Sequence, residues 1–213
     1  MNITENVALA CLLVLAMAGF SKTVSAQSEK KQPAPVETND ASIVEASLGD
    51  AKNVHRLENL FFSGQFSADD LQEIKAAKVD RIITLRTDGE LDWDERAAVE
   101  DAGLEFEQVP VAGADGLTDE AIDKVRGLLK DKSKPTLLHC GSANRVGGVW
   151  LTWRVLDEGV DVETAIEEAK TIGLRSPAIQ KKALGYIERK QAGAGAKEQV
   201  DDTKSSDALP NGK

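Results

Sequence analysis

Residues 135–150 read PTLLHCGSANRVGGVW, and the order of residue types in this stretch decides the fold. Pro135 to His139 is a short apolar run with a β-favouring Thr, the pattern of a buried strand. Cys140 follows it directly. Gly141, Ser142, Ala143 and Asn144 form a loop with no large side chain, and from Arg145 the chain is helical through Trp150, Trp153 and Leu156 to Gly159. Strand, tight loop and helix in that order are one step of an α/β architecture.

The same alternation continues upstream. Phe61-Phe62 ends a short strand before Ser63-Gly64-Gln65. Ser67 and Asp70 have the spacing of a capping box and open a helix through Leu71, Ile74 and Ala77. RIITL (81–85) is a buried strand that ends at Arg86-Thr87-Asp88-Gly89. A helix over 94–102 stops at Gly103, a strand runs over 104–111, and Thr118 caps a helix that places Ile122, Val125 and Leu128-Leu129 on one face. Downstream, Asp161 caps one more helix and Ser176 another, with Pro177 in its first turn. This predicts a mainly parallel central sheet flanked by helices. In such sheets ligands bind at the carboxyl edge of the strands. The loops at 63–65, 86–89, 112–116 and 140–145 all lie there, which places Gln65 and Arg86 on the active edge.

Composition limits the rest. Of 213 residues, about 51–190 hold eight of the nine aromatic residues, which is one domain of ordinary size. Residues 27–50 and 191–213 are polar and lack aromatics, and read as a disordered linker and tail. Residues 1–26 read as an export signal: a 14-residue apolar core, Val7 to Phe20, is short for a membrane span, and Val24-Ser25-Ala26 supplies the small residues of a cleavage site. The usual basic start is missing. Cleavage implies a periplasmic or secreted protein with no stable membrane association. It also removes Cys11 and leaves Cys140 as the one cysteine, unpaired in an oxidising compartment. A net charge of −10 argues against nucleic acid as a partner. Two cysteines and two histidines are too few for a cysteine- or histidine-rich metal centre, so no metal or other cofactor is expected.

An unpaired cysteine between a buried strand and a helix N-terminus suggests chemistry. The backbone N–H groups of Gly141 to Asn144 can curl into one concavity, and the helix dipole favours negative charge at the same spot. Arg145 can fork onto two oxygens of a tetrahedral oxyanion held there. Nucleophile and anion site then coincide, as attack on phosphorus through a phosphocysteine requires.

These residues resemble the cysteine-dependent protein tyrosine and dual-specificity phosphatase superfamily. More closely, FFSGQFSADDL, IITLRTDGE, AGLEFEQVPVAG and LLHCGSANRVGG, in that order, resemble the bacterial phosphatase-like family associated with beta-lactamase-hydrolase proteins. The resemblance spans roughly 53–173. It implies Cys140 as nucleophile, Arg145 as phosphate clamp, the backbone of Gly141, Ser142, Ala143 and Asn144 as the cup, a phosphorylated substrate, and an acid from the loop after the third strand, for which Asp115 is the candidate. A plain Asp-Gly turn is the alternative reading of Asp115, and Asp119 or Glu120 could replace it as the acid. His139 is either a residue that orients the loop or a satisfied buried histidine.

Two departures keep rival functions open. The superfamily has five residues between Cys and Arg and this chain has four, as do rhodanese-type sulfurtransferases with a persulfide on cysteine. Val146 also stands where a Ser or Thr usually helps the second step, which leaves a non-catalytic oxyanion-binding pseudo-phosphatase as a third reading.

Overall fold

A computed structural model describes residues 42–205. One six-stranded sheet has the order β1-β2-β3-β6-β4-β5, with β1 at Val44–Glu45, β2 at His55–Leu57, β3 at Leu60–Ser63, β4 at Arg81–Thr84, β5 at Glu105–Gln108 and β6 at Thr136–His139. β3, β6, β4 and β5 are parallel; β1 and β2 are an antiparallel extension beside β3. The sheet is therefore mainly parallel and flanked by helices, as the alternation requires.

Neighbouring strand residues show why both faces are covered. Phe62, Ile83 and Leu138 point into one apolar core, and Phe61, Ile82 and Leu137 into the other. That is the period of two of a pleated strand buried on both sides. The first core is closed by α3 (Asp119–Leu129), α4 (Asn144–Leu156), α5 (Val162–Ile172) and α6 (Pro177–Ser205). The second is closed by α1 (Leu71–Ala76), entered through a short 3-10 turn, and by α2 (Glu95–Asp101). Ser67 and Asp70 form the anticipated capping box, and Asp94, Thr118 and Asp161 each accept a backbone N–H as N-caps. Trp150 and Trp153 are core residues.

The ends of the domain differ from expectation. The polar stretch 27–50 is part of the fold from residue 42 onward: Leu48 is buried, Ala46 N–H donates to Val54 O, and Asp50 N–H donates to the Asp70 carboxylate at 2.7 Å. A single anchoring leucine and one buried carboxylate hold this segment, too little to show as periodicity. The tail is likewise helical as far as Ser205, as the continuation of α6. The export signal and the rest of the linker and tail lie outside the described residues.

α4 packs closely on its neighbours because it carries Gly147-Gly148. A Cβ on Gly147 would lie 2.7 Å from the Ala169 carbonyl oxygen and 2.9 Å from Leu174 N; one on Gly148 would lie 2.4 Å from Ile179 Cγ2. Gly147→Ala gains about 1 kcal/mol in helix propensity but must displace backbone, an overpacking cost of about 1–3 kcal/mol. Overpacking wins. The expected result is a melting temperature lower by roughly 2–6 °C, read by calorimetry; an unchanged or higher value would show that α4 and α5 can separate freely.

Candidate active site

The loop from Cys140 to Arg145 leaves the carboxyl end of β6 and enters α4. Cys140 is buried, and Ala143, the N-cap, has φ +62°. A left-handed alanine costs about 1–2 kcal/mol and turns neighbouring N–H groups to one side. Loop carbonyls point outward to fixed partners. Gly141 O accepts from Gln65 N at 3.3 Å, Ser142 O from Asn53 Nδ2 at 3.3 Å and Arg175 Nη2 at 3.1 Å, and Ala143 O from Gly147 N at 2.9 Å. Among the described residues the N–H groups of Gly141 and Ser142 have no backbone carbonyl partner. They join the unpaired N–H groups of the first turn of α4 on the inner side. Asn144 Oδ1 accepts from Arg175 N (2.9 Å) and Ser176 N (3.1 Å), which attaches the loop to the start of α6.

Arg145 closes the cup. Its Nη1 donates to Leu85 O (3.0 Å), Val111 O (2.8 Å) and Glu90 Oε1 (2.8 Å), and its Nη2 to Glu90 Oε2 (2.7 Å). One fork of the guanidinium is therefore occupied by a carboxylate. Among the described residues the edge formed by Nε and the second Nη2 hydrogen is bonded to no oxygen, Cys140 lies close to the guanidinium, and Nη2 lies 3.6 Å from where a Cβ on Gly141 would be. That edge can receive two oxygens of an anion. The hydrogen bond to Glu90 raises the Arg145 pKa, burial opposes it, and the nearby Cys140 raises it further. The same hydrogen bond holds the Glu90 carboxyl at about 2, against burial and with help from Thr87. Thr87 N and Oγ each donate to Glu90 Oε1 at 2.8 Å.

Behind the cup lies a second polar group. His139 is fully buried, with Nε2 3.2 Å from Glu95 Oε1 at ion-pair distance but without hydrogen-bond alignment, and with Phe66 edge-on to its ring. Burial raises the pKa of Glu95, yet His139, Gln65 and Thr84 outweigh it and the net displacement is downward. Gln65 Nε2 donates to Glu95 Oε1 at 3.1 Å, and Arg86 Nη1 donates to Gln65 Oε1 at 2.7 Å. Arg86 Nη2 donates to the Glu90 carbonyl.

The four loops expected at the carboxyl edge do meet, and Cys140, the cup residues and Arg145 come together. Asp115 does not. Its side chain is 100% exposed and its Oδ1 lies 3.3 Å from Lys182 Nζ on α6. The open cleft beside Arg145 is lined by Thr87, Glu90, Ala112, Gly113, Ser142, Asn144 and Ile179. The turn at 112–116, closed by Gly116 N–H donating to Ala112 O at 3.0 Å, carries the Asp115 side chain outward. Asp119 is also turned away, paired with Arg189 at 2.5 Å. Glu90 is the residue sequence reading missed. It follows an Asp-Gly turn and reads as a surface charge; its position four residues after Arg86 was the one available signal. Gln65 and Arg86 are at the edge, but the Gln65 amide and both Arg86 Nη atoms are bonded to protein, and the buried Arg86 Nε has no hydrogen-bond partner among the described residues. Among the described residues no group of His, Cys, Asp and Glu is arranged to hold a metal ion.

No family model and no curated protein matches the sequence. Solved structures do match. TpbA of P. aeruginosa is 23% identical over 65% of this chain and 88% of its own, with a TM-score of 0.52. A cysteine-to-serine variant of TpbA in complex with phosphotyrosine is 21% identical over 70% and 90%, with a TM-score of 0.56. The core catalytic domain of the S. cerevisiae PP-IP phosphatase SIW14, in complex with citrate, is 15% identical over 72% and 96%, with a TM-score of 0.57. At these identities the likeness is one of fold: the α/β fold of tyrosine-phosphatase-like domains.

Proposed function

We propose that the chain is a metal-independent, cysteine-dependent phosphatase-like hydrolase of phosphomonoesters, exported to the periplasm or beyond. The observation that carries this is the guanidinium of Arg145, held by Glu90 and two carbonyls with its free edge toward an amide-lined loop that begins at Cys140. The phosphatase fold of the structures it resembles supports the reading.

In the first step the Cys140 sulfur attacks phosphorus; a P–S bond forms as the P–O ester bond breaks. The cup amides and Arg145 stabilise charge on the three non-bridging oxygens. The leaving oxygen takes a proton from Asp115, brought from its pairing with Lys182 by movement of the Gly113–Gly116 loop. Glu90 does not fill that role, because both of its carboxylate oxygens are held by Arg145. In the second step water attacks phosphorus, the P–S bond breaks, the sulfur leaves as thiolate, and the water proton returns to Asp115. Val146 is buried in the core and offers no hydroxyl to this step. Ser142 lines the cleft.

The test is phosphate release from an aryl phosphate with a chelator present. Absence of turnover, or a strict metal requirement, would overturn the reading. A persulfide on Cys140 after incubation with thiosulfate, seen by mass spectrometry, would instead favour sulfur transfer. Asp115→Asn supplies a finer test: kcat is expected to fall about 10- to 100-fold for an alkyl phosphate and far less for p-nitrophenyl phosphate, whose leaving group needs no proton. Equal losses on both substrates would remove Asp115 from the mechanism.

A further inference from the structure

From His139 a line of polar contacts runs through Glu95, Gln65, Arg86 and Glu90 to Arg145, so that it starts on the residue before Cys140 and ends on the far side of the cup. Its members come from the ends of β6, α2, β3 and β4, the loop after β4, and α4. We propose that Gln65 is the positioning residue of this site: its amide joins the buried Glu95–His139 pair to Arg86 and thereby fixes the loop whose Glu90 holds Arg145 over Cys140. This rests on the phosphatase reading above and adds to it the residue that sets the geometry of the phosphate clamp.

The chemistry of the position admits few other side chains. Gln65 Oε1 faces Arg86, which can only donate; Gln65 Nε2 faces the Glu95 carboxylate, which can only accept, and its other hydrogen goes to Phe66 O at 2.8 Å. An acceptor toward a cation and two donors toward an anion and a carbonyl are what an amide offers. A glutamate here would satisfy Arg86 but set two carboxylates against each other; a lysine would satisfy Glu95 but oppose Arg86. The Gln65 backbone N–H also donates to Gly141 O, so the same residue touches the cup directly.

Arg86 transmits the constraint. It donates to Gln65 on one side and to the Glu90 carbonyl on the other, with its Nε 3.7 Å from Glu90 Oε2. Its Nη1 lies 3.8 Å from where a Cβ on Gly141 would be. Removing the Gln65 amide frees Arg86 to swing, and with it the loop carrying Glu90. The clamp would then lose its alignment while the apolar core stayed whole.

The experiment compares wild type with Gln65→Met, Gln65→Glu, Glu95→Gln and the exchange Gln65→Glu/Glu95→Gln. The readouts are kcat and KM on p-nitrophenyl phosphate, inorganic phosphate affinity by calorimetry, and melting temperature. Gln65→Met is expected to lower kcat/KM about 10- to 100-fold and to weaken phosphate binding, with little change in melting temperature. The exchange variant again pairs one donor with one acceptor between residues 65 and 95, with the direction of the bond reversed, and is expected to recover at least part of what Gln65→Glu loses, whereas independent structural roles would give additive losses. Gln65→Met with wild-type kcat/KM and phosphate affinity, or losses that simply add in the exchange variant, would overturn the assignment of Gln65. A wild type that neither hydrolyses the ester nor binds phosphate would instead overturn the phosphatase reading on which it rests.

Discussion

Cys140→Ser is expected to release no measurable phosphate from p-nitrophenyl phosphate under conditions where wild type turns over, a loss of about 1,000-fold or more. The substitution changes one atom of a buried side chain and meets no new neighbour, so folding should be retained. What changes is the nucleophile: a serine hydroxyl stays protonated at neutral pH, and the Glu90 carboxylate at the cup has both oxygens engaged by Arg145. The cup amides and the free edge of Arg145 are untouched, so inorganic phosphate should still bind. Calorimetry and the steady-state assay together give the reading. Binding kept with hydrolysis lost identifies the sulfur as the reacting atom, whereas hydrolysis that survives would place the chemistry elsewhere.

Glu90→Gln should have the next largest effect. Holding a carboxyl at about 2 instead of 4.5 corresponds to roughly 3 kcal/mol favouring the charged pair with Arg145, reduced in practice by solvent at the rim. A glutamine keeps one acceptor but turns an NH2 group toward an N–H of Arg145. The guanidinium then loses half its bidentate anchor while keeping Leu85 O and Val111 O. A fall of about 100-fold in kcat/KM is expected, with weaker phosphate binding. The pairing also sets a pH limit. Because the folded Glu90 pKa is depressed, its contribution is complete above the ordinary carboxylate range and is lost as pH falls from about 4.5 toward 2; the variant should lack that part of the acid sensitivity. Wild-type kinetics in Glu90→Gln would mean that the two carbonyls suffice to hold Arg145.

What could be read from sequence, and what could not, separates by the range of the interaction. Elements announced by local chemistry came through: the Ser67–Asp70 capping box, the caps at Thr118 and Asp161, the apolar runs that became β4 and β6, and the small loop after Cys140. β1 did not, because two exposed residues, Val44 and Glu45, carry no pattern and are held by pairing with Arg56 and His55. At the site, Cys140 and Arg145 lie close together in the chain and their partnership is local. The bond from Arg145 to Glu90 spans 55 residues and that from Gln65 to Glu95 spans 30. Such pairs become visible only when the sheet order places β3 and β4 on either side of β6. Asp115 shows the opposite failure: its loop is on the right edge, but the direction of a side chain within a turn depends on backbone detail that residue type does not reveal.

The bonds from Asn144 to the backbone of Arg175 and Ser176, and from Arg175 to Ser142 O, have a consequence for how the protein comes into being. The rim of the cup is assembled from the last third of the chain. A ribosome that has delivered every residue from the nucleophile to the guanidinium has still not made a finished anion receptor; that waits for the polypeptide some thirty residues further on. Truncation ahead of residue 175 should therefore yield a chain that contains the whole reactive loop and is nonetheless inert.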